Sequence, residues 1–163
     1  MPAVSNTSPI SNLAWIGRLN LLLDQFREIW IPKAVETELQ NVPGAAVRKA
    51  VDDARRQGWL KSRAASDTAL LSLLMVEPHP GEAEAIALAF EMKANHLLID
   101  EREGRTLARQ LGLPLTGVLG VLLRAKKKGL IKAVKPEIDA LRSKARFFIA
   151  PALEASILTK AGE

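Results

Sequence analysis

Cysteine is absent from the 163 residues of this chain, and so is tyrosine. Without thiols, neither a disulfide scaffold nor a thiolate metal site can form. Imidazole is scarce: His79 and His96 are the two histidines. A zinc site would need carboxylates beside them. Any metal is therefore expected to be a hard cation held by oxygens, Mg²⁺ or Mn²⁺. No apolar run reaches the roughly 18–20 residues that cross a bilayer, so no membrane association is expected. Residues Met1 to Asn6 lack a basic region followed by an apolar stretch. No signal peptide is expected there, and the expected location is cytoplasmic. Neither G-x-G-x-x-G nor a G-K-[ST] loop occurs, which argues against a doubly wound nucleotide-binding or phosphoryl-transfer domain.

Apolar residues, by contrast, make up 48% of the chain and charged ones 25%, enough aliphatic surface to bury a sizeable core and to argue against disorder. One domain spanning residues 1–163 is expected, since no repeat, low-complexity segment or dividing linker is found. The formal net charge of +5 suits a polyanion such as nucleic acid, and equally suits a soluble protein that happens to be basic. Trp15, Trp30 and Trp59 stand singly among apolar neighbours. Packing in a core or interface is the expectation for them, ahead of base stacking.

Short apolar segments alternate with amphipathic ones. Ala3–Ser5, Glu28–Ile31, Gly58–Lys61, Asn95–Asp100 and Leu113–Thr116 read as strands. Ser8 is expected to cap a first helix with Pro9 at its first position. Helices are further expected over 21–26, after Pro32, and over 45–57, 67–75, 82–93, 102–111, 118–128, 135–145 and 151–160. In the 82–93 helix Ala83, Ile86, Ala87 and Phe90 form one stripe. Glu77-Pro78-His79-Pro80-Gly81 breaks the chain before it. This alternation predicts an α/β fold built on a parallel sheet with right-handed crossovers. In such sheets ligands bind beyond the carboxyl ends of the strands.

Asn6 ends the first strand and Asp100 the fourth, so a parallel sheet places both at one edge. Glu38 and Glu82 each fall near the start of a helix expected to pack on that sheet. Four oxygen-bearing side chains can then converge, and clustered carboxylates call for a cation. Each position also has a plainer reading. Glu82 in a first helical turn complements the helix dipole, Glu38 can be a solvated surface acid, and Asp100 can cap the following helix.

Five ordered segments carry a family resemblance. V-S-N-T-S-P-I resembles the first-strand motif of PIN domains, in the VapC-like prokaryotic branch first grouped as a domain of unknown function. I-P-K-A-V-E-T-E-L, G-E-A-E-A-I-A-L-A, L-L-I-D-E-R-E-G-R and L-T-G-V-L-G-V-L-L-R-A-K-K-K-G-L-I are similar to its later motifs, and the ending from Arg146 resembles the same branch. The resemblance covers nearly the whole chain. It implies a PIN-like three-layer sandwich, a central parallel sheet with helices on both faces, and helices beyond about residue 135 packed on the domain or in a dimer interface. It implies a Mg²⁺- or Mn²⁺-dependent RNA endonuclease, in many relatives the toxin of a toxin–antitoxin pair and often a homodimer. Carried over, the metal ligands are Glu38, Glu82 and Asp100, with Asn6 as the fourth catalytic position. Ser8 and Thr7 supply hydroxyls, and Ser8 is placed to meet a metal-bound water. Glu84 should turn about 200° from Glu82 along a helix, and Glu101 is a weaker candidate than Asp100. Arg102, Arg105 and Arg109 share a helix face past Asp100. Arg102 and Arg105 are the candidates for gripping phosphates, and a solvated basic face is the plainer reading for Arg109.

The chain departs from the family pattern at Asn6, where many PIN domains have Asp. Asparagine keeps a carbonyl oxygen but loses the charge, so metal affinity should fall. The rival expectation is accordingly a catalytically weak PIN domain that binds RNA or a protein partner. A toxin reading adds a small antitoxin as that partner.

Overall fold

The computed structural model describes residues 2–74 and 79–163. Five strands, β1 (Ala3–Ser5), β2 (Ile29–Ile31), β3 (Leu60–Ser62), β4 (His96–Leu98) and β5 (Leu115–Thr116), form one sheet in the order β3-β2-β1-β4-β5. Every neighbouring pair is parallel. Parallel strands need crossovers, and helices supply them. Along the chain these are α1 (Thr7–Trp15), α2 (Asn20–Phe26), α3 (Lys33–Gln40), α4 (Ala45–Arg56), α5 (Thr68–Leu74), α6 (Pro80–Glu91), α7 (Arg102–Gln110), α8 (Val118–Lys127), α9 (Lys135–Lys144) and α10 (Pro151–Ala161).

Side chains alternate across each strand, which divides the core into two layers. Ala3, Ile29, Ile31, Leu60 and Leu98 face the layer built by α1–α4 and α8–α10. Val4, Trp30, Leu97 and Ile99 face the layer of α5, α6 and α7. The result is an α/β three-layer sandwich with helices on both faces. Helix α6 is buried almost all round, which suits its alanine content: small side chains let it lie close to the sheet, α3, α5 and α7. The apolar faces of α9 and α10 close the first layer through Ile138, Leu141 and Ile157, with Ile149 from the stretch between them.

Several local expectations need correction. Helix α1 begins at Thr7 with Asn6 at its cap position, so Ser8 lies inside the first turn. Pro9 is tolerated there because first-turn N–H groups need no partner within the helix. Glu38 lies in the second turn of α3, not near its start, since Pro32 already sets the helix off. Strand β4 ends at Leu98, short of Asp100. Met75 of the 67–75 helix, and Glu77 and Pro78 of the breaker cluster, lie outside the described residues. The tryptophans pack: Trp59 is buried, and Trp30 donates from Nε1 to Glu28 Oε1 at 2.9 Å. Trp15 fills space that a side chain on Gly44 would take.

Arg18, just after α1, ties the carboxyl-terminal helices down. Its Nε and Nη2 donate to Glu137 Oε1 of α9 at 3.0 and 2.6 Å, and Glu137 is buried. The Arg18 side chain is itself 43% exposed, so water screens the pair, and removing the guanidinium should cost about 1 kcal/mol. Urea denaturation should show that loss for Arg18→Met, and Arg18→Met with Glu137→Leu should recover most of it.

Candidate metal-binding cleft

The carboxyl edge of the sheet carries an open cleft of about 330 Å³ lined by Asn6, Thr7, Ser8, Glu38, His79, Pro80, Glu82 and Glu101. β1 delivers Asn6 to this edge, where its backbone N–H donates to the carbonyl of Leu98 at 2.9 Å. Thr7 and Ser8 follow on the first turn of α1. The break at His79 and Pro80 starts α6 so that Glu82 falls in its first turn. Glu101 precedes α7.

Glycines let these groups approach. A methyl group on Gly81 would stand 2.5 Å from Glu38 Oε1. One on Gly104 would stand 3.0 Å from Glu82 Oε2 and 2.5 Å from Ile99 Cδ1. Such distances are below van der Waals contact, so the acids sit where they do because positions 81 and 104 have no side chain.

Two carboxylates are held by neutral donors. The Thr7 hydroxyl donates to Glu38 Oε2, and the Ser8 hydroxyl to Glu101 Oε1. The Asn6 amide donates from Nδ2 to Glu101 Oε2 at 2.9 Å. Asparagine is thus more than an uncharged aspartate at this position, because it supplies a donor that aspartate lacks. Glu82 has no such partner. It is 5% exposed, and among the described residues its buried Oε2 has no hydrogen-bond partner, as is true of Asn6 Oδ1. Burial pushes the Glu82 carboxyl up to about 7, with the Glu101 charge adding to the shift.

Asp100 does not line this cleft. Its Oδ1 accepts the backbone N–H of Val118 at 2.9 Å at the start of α8, and the carboxyl faces a different groove. Burial raises it to about 6, opposed by that N–H. Of the adjacent acids Asp100 and Glu101, the second is therefore the one that the fold brings to Asn6, Ser8 and Glu82. Glu84 turns away as helical geometry requires and accepts the N–H of Ala34 at 3.0 Å in the first turn of α3. Arg102 is exposed on α7, and so is Arg109. Arg105 donates to the Ile99 carbonyl at 2.8 Å and lines the groove that holds Asp100.

The donors suit a hard cation. The cleft offers oxygens, and among the described residues no lysine or arginine lines it and two buried acceptors lack donors. Among the described residues no three His, Asp or Glu side chains stand together as a ligand set. The hydroxyls of Thr7 and Ser8 hold Glu38 and Glu101, so these carboxylates would have to turn to share an ion.

A PIN-domain family model matches residues 2–163. The fold resembles that of a PilT N-terminus domain protein from the hyperthermophilic archaeon Sulfolobus solfataricus P2, with a TM-score of 0.52 and 21% identity over 77% of this chain and 93% of that one. No curated protein matches the sequence.

A carboxyl raised from 4.5 to about 7 by folding stabilises the fold below its unfolded value. That contribution is lost as pH rises between the two values. In cation-free buffer, Glu82→Gln should therefore melt about 5 °C above the unsubstituted protein near pH 8 and lose the advantage near pH 4. Thermal denaturation across pH reads this directly. Equal pH profiles for the two proteins would contradict the assignment.

Proposed function

The chain belongs to the PIN-domain family, a nuclease-type family generally dependent on divalent metal, and on that premise we propose that it is a metal-dependent RNA endonuclease. The observation that carries the reading is the pair of buried acceptors, Asn6 Oδ1 and Glu82 Oε2, that have no donor among the described residues, in a cleft lined also by two further carboxylates. Structural acids are usually paired or solvated. An unpaired cluster at the carboxyl edge of a parallel sheet is where a ligand belongs.

Glu82, Glu101, Glu38 and Asn6 would hold Mg²⁺ or Mn²⁺. When bound, the ion supplies positive charge against the charge that builds on a scissile phosphate. The protein's own contribution is positional. Thr7 and Ser8 hold Glu38 and Glu101 at the cleft wall, from which they would turn to share an ion, and Asn6 holds the second oxygen of Glu101. Glu82 must lose its proton to act as a ligand, so metal affinity should rise with pH through about 7. The basic balance of the chain, +5, draws a polyanionic substrate. A toxin role with a small antitoxin partner and a homodimeric state are parts of the same proposal that rest on the family resemblance, and a cytoplasmic location is proposed with them. Among the described residues no helix is long and apolar enough to cross a membrane.

The test is cleavage of a mixed single-stranded and structured RNA pool with Mn²⁺. Wild type should cut, and Glu82→Gln and Glu101→Gln should each lower the rate by at least about 100-fold. If wild type is inert with Mn²⁺ present, the reading of a catalytically weak RNA- or protein-binding module replaces this one.

A further inference from the structure

The turn after β4 separates two depressions. Glu101 faces the acidic cleft, while Asp100 lines a larger groove of about 610 Å³ with Arg105, Arg124, Phe147, Phe148 and Lys160. That volume is in the range of small-molecule sites, about 300–1,000 Å³. The groove differs from its neighbour in every respect that matters to a ligand. Its rim is cationic. Among the described residues, neither Arg105, Arg124 nor Lys160 is in an ion pair. The Arg124 guanidinium lies over the Phe26 ring, 5.5 Å from its centroid, which fixes the charge at the groove.

Two aromatic rings sit together here with opposite fates. Phe147 packs against the core. Phe148 is 85% exposed, the most exposed of the large apolar side chains among the described residues. Leaving a phenylalanine ring in water forfeits burial without any gain to the fold. Beneath the rim, the Asp100 carboxyl is almost wholly enclosed. Its Oδ1 is taken by the Val118 N–H, and its Oδ2 has no donor.

We propose that this groove is a nucleotide subsite, where a base of single-stranded RNA stacks on Phe148 and its phosphates meet Arg105, Arg124 and Lys160. The inference rests on the nuclease reading for its direction: a strand crossing the 100–101 turn would place a phosphate in the acidic cleft and the adjoining nucleotide here. An acidic amphipathic peptide would also find cations and apolar surface in the groove. The Asp100 carboxylate at the floor argues against it, because it repels the carboxylates of such a peptide. A base has the flat face that an exposed ring can use, whatever its identity.

The experiment measures binding of a short fluorescein-labelled single-stranded RNA by anisotropy, with EDTA present so that nothing is cut. Phe148→Ala should weaken binding about tenfold and Phe148→Trp should retain it. Arg124→Ala and Lys160→Ala should each lower the slope of log Kd against log salt by about 0.7. Circular dichroism and melting temperature should be unchanged for Phe148→Ala, since the ring is exposed. Cleavage by wild type together with unaltered RNA affinity in all these variants would sink the subsite and leave the nuclease reading standing. Binding that depends on Phe148 in a protein that cuts nothing would uphold the subsite and sink the nuclease reading. A wild type that binds no RNA, or a Phe148→Ala variant that loses only an acidic amphipathic peptide, overturns the proposal.

Discussion

The Glu82 carboxylate is 5% exposed, with one oxygen unmet, in a cleft whose lining includes Glu38 and Glu101 and no lysine or arginine. Like charges brought out of water together are costly unless protons or a cation intervene. The surrounding structure reads as a set of accommodations to that cost. Thr7, Ser8 and Asn6 donate to two of the three carboxylates. Glycines at 81 and 104 make room for the acids. Glu82 itself is left to hold a proton near neutral pH. Two of the four buried side-chain atoms that lack a partner among the described residues lie in this one cleft, a concentration that supports the proposed site.

The two layers of the sandwich supply different parts of this arrangement. Helices α1 and α3, from the larger core cluster, bring Asn6's neighbours and Glu38. Helix α6, sunk into the smaller cluster, brings Glu82. The site is therefore assembled at the sheet's edge from elements of both core clusters, and its geometry depends on β1 and on the direct packing of α3 against α6. Glu84 illustrates the coupling: two residues beyond Glu82, it receives the Ala34 N–H and so fastens the start of α3 to α6.

Much of this was legible in the residues themselves. The strand–helix alternation predicts the parallel sheet because apolar runs closed by breakers can be buried only that way. Gly81-Glu82-Ala83 places an acid in a first turn, and helical rotation separates Glu82 from Glu84. What sequence could not resolve was the pair Asp100-Glu101. Adjacent acids leave a strand in opposite directions, and the strand stops at Leu98 rather than Asp100, so the turn decides which one faces Asn6. Ser8 reads as a helix cap, since serine is a common cap, yet its hydroxyl reaches Glu101, 93 positions away. Of the groove beside Phe148 the chain signalled only Asp100 and Arg105, because its residues come from the turn after β4, β5, α7, α8, α10 and the stretch between α9 and α10.

In the proposed site Glu82 and Glu101, with Asn6, hold the cation, and Asp100 stays outside it. Titration of Mn²⁺ followed by electron paramagnetic resonance measures the free ion and so counts the bound one without any substrate. The account predicts binding by the unsubstituted protein, its loss in Glu101→Gln, and its retention in Asp100→Asn. Loss in Asp100→Asn with retention in Glu101→Gln, in folded protein, would contradict it.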